Sequence, residues 1–177
     1  MNDFVPFPPP EPLEALYLVG FRLDPEIDGA QFYTLVALEG ENERPLMANG
    51  RIVFFANRGD AKRALALGDD AIKRLGIPSG EVEMLCDLAQ ALYVANAENA
   101  DSDGVLMDSI ACMDDLLRAI QISVPAEYMA TLSAIAARLG ETPEFGSWIK
   151  EQGLDRERIE DALLWCIGAV ASKSKFV

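Results

Sequence analysis

The sequence predicts an α+β fold, with an N-terminal antiparallel β-meander of three to four strands followed by a C-terminal bundle of about five helices. Three observations carry this. Residues 13–23 and 31–38 are rich in aromatic and β-branched side chains and flank a segment bearing Pro25, Asp28 and Gly29. Asn49-Gly50 separates two further strand-like runs. From residue 58 onward the apolar period changes to that of a helix and stays there.

Residues 1–12 form a proline-rich arm in which Phe4, Val5 and Phe7 are available for docking on the chain itself or on a partner. In the first strand Leu16, Leu18 and Gly20 share one face, and Tyr17, Val19, Phe21 and Leu23 the other. Both faces are apolar, so this sheet needs cover on both sides, from helices or from another subunit. Residues 45–48 and 51–56 make a hairpin, because Asn and Gly tolerate the positive φ of a type I′ turn.

Asn57-Arg58-Gly59-Asp60 opens the first helix, whose face is lined by Ala61, Leu65, Gly68, Ile72 and Leu75 and which stops at Gly76-Ile77-Pro78. Ser79 caps a second helix running to about residue 97. A third carries Leu106, Ile110, Met113, Leu117 and Ile120 on one stripe, with Asp108, Asp115 and Arg118 facing outward. Pro125 sits in the first turn of a fourth, Thr142-Pro143 starts a fifth that ends near Gly153, and Asp155 caps the last. Three segments result: the arm at 1–12, the sheet with its first helix at 13–78, and the bundle at 79–177, packed as one unit.

Composition bounds the chemistry. The 177 residues include no histidine, which removes histidine-based triads, zinc sites and proton shuttles unless a second chain supplies the imidazole. Cys86, Cys112 and Cys166 lie apart among apolar neighbours in stretches that read as helix, which points to free thiols in a reducing cytoplasm. The longest apolar run, residues 162–171, is too short to span a bilayer. No membrane role is expected.

Net charge is −14, and the interval from residue 75 to residue 117 has no lysine or arginine. It holds nine acids, so one region projects a coherent negative field that repels nucleic acid and suits a basic protein partner. The candidate partner-binding face is Glu83, Asp87, Asp108, Asp114 and Asp115. Read as carboxylate pairs at helical spacing, Glu83 with Asp87 and Asp108 with Asp115 would need burial to act as acid and base, and surface acids are the simpler reading.

The last helix is apolar around its circumference, so Leu164 and Trp165 are candidates for a homodimer face. Residues 99–106 match the opening of an EF-hand calcium loop, but its closing glutamate position is Ile110, which leaves a polar connection and no metal site. No glycine-rich phosphate loop is present, and no cofactor or catalytic set is assigned.

The functional reading is a non-enzymatic acidic interaction or adaptor-type protein that presents a negative helical face to a basic partner and self-associates. The alternative is a small-molecule-binding domain or atypical enzyme with a pocket between sheet and bundle. Tyr17, Phe21, Tyr33 and Phe55 would line it, and Arg22 or Arg51 would anchor an anionic group.

Overall fold

In the computed structural model, which describes residues 13–40, 42–66, 84–96, 103–139 and 155–177, the meander is present and acquires two strands from later in the chain. Strand β1 (Leu13–Arg22) pairs antiparallel with β2 (Phe32–Glu39), and β2 with β3 (Asn42–Pro45). Strands β4 (Met47–Ala48) and β5 (Arg51–Phe54) form the expected hairpin. Its turn residues Asn49 and Gly50 both have positive φ, 54° and 72°, as a type I′ turn requires.

Helix α1 (Arg58–Ala66) follows, with the Asn57 side chain accepting from the Asp60 N–H at its start. Then come β6 (Met84–Asp87), α2 (Leu88–Asn96), α3 (Asp103–Ala119), α4 (Ala126–Leu139), α5 (Arg156–Ser172) and β7 (Ser174–Phe176). Asp155 caps α5 as expected, accepting from the Glu157 N–H.

One sheet has the order β3-β2-β1-β6 and the other β4-β5-β7. Strands β6 and β7 each join in parallel, β6 beside β1 and β7 beside β5. This corrects the helix expected from residue 79 to about 97. Met84–Asp87 is a strand, and α2 begins at Leu88. The fold is α+β as expected, with β1–β5 preceding the helices and β6 and β7 the two strands that return to the sheets from later in the chain. A four-residue run carries no readable period, and its pairing with β1 is set by residues far away in sequence. Cys86 accordingly sits in a strand, not a helix. The arm at 1–12, the Ser79 cap, residues 99–102 of the 99–106 loop and the helix expected at 142–153 lie outside the described residues.

The apolar character of both faces of β1 is explained within the chain. Leu16 and Leu18 pack with Leu35, Val53, Phe55 and Ala61 on one side, beneath the hairpin and α1. Val19 and Phe21 face the main core, built from α2, α3 and α5 residues such as Val94, Leu106, Leu116, Ile159 and Leu163. The two sheets are stitched at β2. Tyr33 and Phe55 exchange backbone hydrogen bonds of 2.9 and 2.8 Å, and the buried Thr34 hydroxyl donates to the Val53 carbonyl at 2.8 Å. Phe21, Phe32, Phe54 and Phe176 stack edge and face between the sheets, so the last strand closes an aromatic cluster. Among the described residues, no helix is long and apolar enough to cross a membrane.

Candidate functional site

The acids assigned to the partner face fall into different surroundings. Asp108 is exposed on α3. Asp114 is ion-paired with Arg118 one turn on. Asp87 terminates β6, where one carboxylate oxygen accepts from the Gln90 N–H at 2.9 Å, capping α2, and the other pairs with Arg22 at 2.8 Å. Asp115, expected to face outward, is half-buried. Glu83 lies outside the described residues.

Asp115 borders a polar recess of about 560 Å³ lined by Asn42, Glu43 and Arg44 of β3 and by Arg118 near the end of α3. Burial, and then the negative charge of Glu43, push its carboxyl above the usual range, while Arg118 pulls it back. The packing of α3 on β3 thus brings acids and arginines to one recess.

The six residues proposed for a pocket between sheet and bundle are not brought together. Strand alternation sends Tyr17 and Phe21 to the main core, and Tyr33 and Phe55 to the opposite face. Arg22 is committed to Asp87 and to the Ile27 and Pro25 carbonyls, each at 2.8 Å, while Arg51 is exposed beside the hairpin turn. The void found between sheet and bundle is small, about 50 Å³, and its wall is apolar, including Phe21, Phe32, Phe54 and Phe176.

On α5, Ile159, Ala162, Leu163, Cys166 and Val170 are buried. Trp165 is half-buried against Tyr128 of α4, with ring centroids 6.2 Å apart. Leu164 is 47% exposed, so of the two self-association candidates it is the one facing outward.

A feature that the sequence reading missed lies between α3 and α4. A groove of about 630 Å³ is walled by Met107, Ile110, Ala111, Met113, Asp114 and Leu117 on α3 and by Met129, Leu132, Ser133 and Ala136 on α4. Leu163 and Cys166 of α5 line it too. The link between its walls is set by Gln121, at φ 57°, which turns the chain so that Ile122 and Val124 close one end.

A signal was present in the sequence. Met107 and Ala111 extend the apolar surface of α3 beyond the single stripe that one neighbour would cover, and Ser133 and Ala136 put small residues on the facing wall. Methionine thioethers are flexible and polarisable, so such a surface adapts to different apolar groups.

All three cysteines are buried and free. A hydrogen bond with the Cys86 thiol, and burial, push Cys112 far above the ordinary thiol range. Burial pushes Cys166 up to about 11. Burial of this kind works against the thiolate form that a nucleophile needs. Among the described residues, no group of three or more potential ligands is placed to hold a metal ion.

No protein-family model matches the chain, and no curated protein sequence matches it. A solved structure, "The crystal structure of SatS c-terminal domain in complex with bromine", is similar in fold. The TM-score is 0.63 at 15% sequence identity, covering 92% of this chain and 94% of that one.

Proposed function

We propose that the protein is a non-enzymatic interaction module that offers a negatively charged surface, centred on α3, to a basic protein partner, and that it self-associates. The observation that carries this reading is the acidic surface of α3: Asp108 stands exposed, and Asp115 lines a polar recess together with Glu43, Arg44 and Arg118. A lysine or arginine of the partner seated beside these acids gains a favourable contact and adds to the offset that Arg118 already gives Asp115. The long interval without a base extends the same field outward.

The test is capture at low and high salt by the native chain and by a variant carrying Asp108→Lys, Asp114→Lys and Asp115→Lys. A basic protein retained at low salt, released at high salt and lost with the variant supports the reading; equal retention by the variant refutes it. For self-association, Leu164→Glu should convert a homodimer to a monomer in light scattering, and a monomeric native chain removes that part of the proposal.

The second reading, a small-molecule binder, draws its support from the groove between α3 and α4, whose volume is that of an ordinary ligand pocket. A thermal-shift screen of apolar metabolites without a stabilising hit counts against it.

A further inference from the structure

We infer that the groove between α3 and α4 is the seat of an amphipathic basic helix from the partner protein. This deepens the proposed interaction function and rests on it.

Shape is the first argument. The groove follows α3 from Met107 to Arg118, about 16 Å or three helical turns. That length matches the reach of apolar anchors spaced i, i+3 or i+4, and i+7 along a docked helix.

Backbone chemistry decides between a helical and an extended occupant. The walls are helices, whose interior N–H and C=O groups are already bonded within each element. The lining side chains that carry hydrogen-bonding groups are Asp114, Arg118, Ser123 and Ser133, too few to satisfy an extended strand. A helix arrives with its own backbone satisfied and needs only an apolar face.

Charge decides the remainder of the occupant. The three helices that build the groove carry eight acids against four arginines and no lysine, and Arg118, at the groove itself, is held by Asp114. With Asp114 and Arg118 offsetting each other at the groove and Asp108 exposed on the same helix, the excess of acids over these helices favours lysines or arginines beside the apolar stripe and repels an acidic helix. Met107, Met113 and Met129 let the groove accept anchors of different shape.

The experiment uses three labelled synthetic peptides of about 18 residues, long enough to exceed the groove. One places leucine at helical spacing with lysine elsewhere. The second replaces each leucine by serine, and the third replaces each lysine by glutamate. Binding to the full chain is read by fluorescence anisotropy. Ser133→Trp fills the groove and Ala111→Glu puts a charge in it; both positions are exposed, so the fold tolerates them, and circular dichroism verifies this.

The expected result is that the leucine–lysine peptide binds at least about tenfold more tightly than either control, and that each groove variant weakens it by about tenfold or more. Equal binding of both lysine peptides, unaffected by the groove variants but lost with Asp108→Lys and Asp115→Lys, overturns the groove assignment and leaves the acidic-surface function standing. Equal binding of both leucine peptides overturns the choice of a basic helix. Dissociation of a homodimer by Ser133→Trp assigns the groove to a second copy and overturns the inference. Failure of every lysine-bearing peptide to bind at low salt overturns the inference and the proposed function together.

Discussion

Arg22 and Asp87 were assigned by sequence to two different sites, and the fold pairs them with each other across β1 and β6. A double-mutant cycle measures what that pairing is worth. The Arg22 Nη1 donates to Asp87 at 2.8 Å, and the two side chains are only 19% and 17% exposed. A hydrogen bond to a charged group in such surroundings contributes about 1.5 to 3 kcal/mol, against well under 1 kcal/mol for an exposed pair.

Arg22→Met deletes this bond together with the exposed ones to the Pro25 and Ile27 carbonyls and leaves a shielded carboxylate short of its partner, and should cost about 2 to 3 kcal/mol. Asp87→Asn keeps an oxygen for the Gln90 N–H, so the cap on α2 survives and the cost is about 1 to 2 kcal/mol. The double variant should cost little more than Arg22→Met alone, giving a coupling of about 1 to 1.5 kcal/mol. Urea unfolding of the four proteins at about pH 7, with unchanged slope, reads it. A coupling below about 0.5 kcal/mol, within the scatter of independent sites, refutes the claim that this pair fastens β6 to the sheet.

Three further predictions follow from single residues. Asp115 holds its proton more tightly in the folded state than in the unfolded one, so its contribution is fully present below the ordinary carboxylate value and is lost as pH rises through the raised one; Asp115→Asn should therefore raise the urea midpoint near pH 7 and leave it unchanged near pH 3, both values relative to an ordinary aspartate at about 4. An equal gain at both pH values removes the charge explanation. Gly168 lies inside α5 on an exposed face with open space where a Cβ would go, so Gly168→Ala should stabilise by about 0.5 to 1 kcal/mol in thermal unfolding, and a loss would mean that the position is needed for something else. The three buried thiols should ignore a disulfide reagent at about pH 8 in the native protein and react fully in denaturant, while stability should fall as pH rises from about 9 toward the Cys166 value of about 11; fast native labelling would show that the core around Cys112 and Cys166 opens readily.

The candidate site was legible only in pieces. The apolar stripe of α3 through Leu106, Ile110, Met113 and Leu117 was readable, and these four are buried. That the same helix turns a second, wider apolar surface toward α4 depends on the packing angle of two helices, and periodicity does not encode that angle. The acids were readable as a charge excess. Their division into a cap at Asp87, an ion pair at Asp114, a repelled carboxylate at Asp115 and an exposed one at Asp108 depends on which groups the fold brings near each.

Local chemistry in the sequence determined the α+β class, the Asn49-Gly50 turn, the start of α4 after Pro125 and the Asp155 cap, because each is set by the conformational preferences of a few adjacent residues. Tertiary structure alone decided that Met84–Asp87 is a strand, that Ser174–Phe176 completes the second sheet, that Tyr17 and Tyr33 look into opposite cores, and that a methionine-walled groove opens between α3 and α4. Each of these rests on a partner distant along the chain, and the free energy that selects the arrangement, apolar burial and ladder hydrogen bonds, exists only once the partner has arrived.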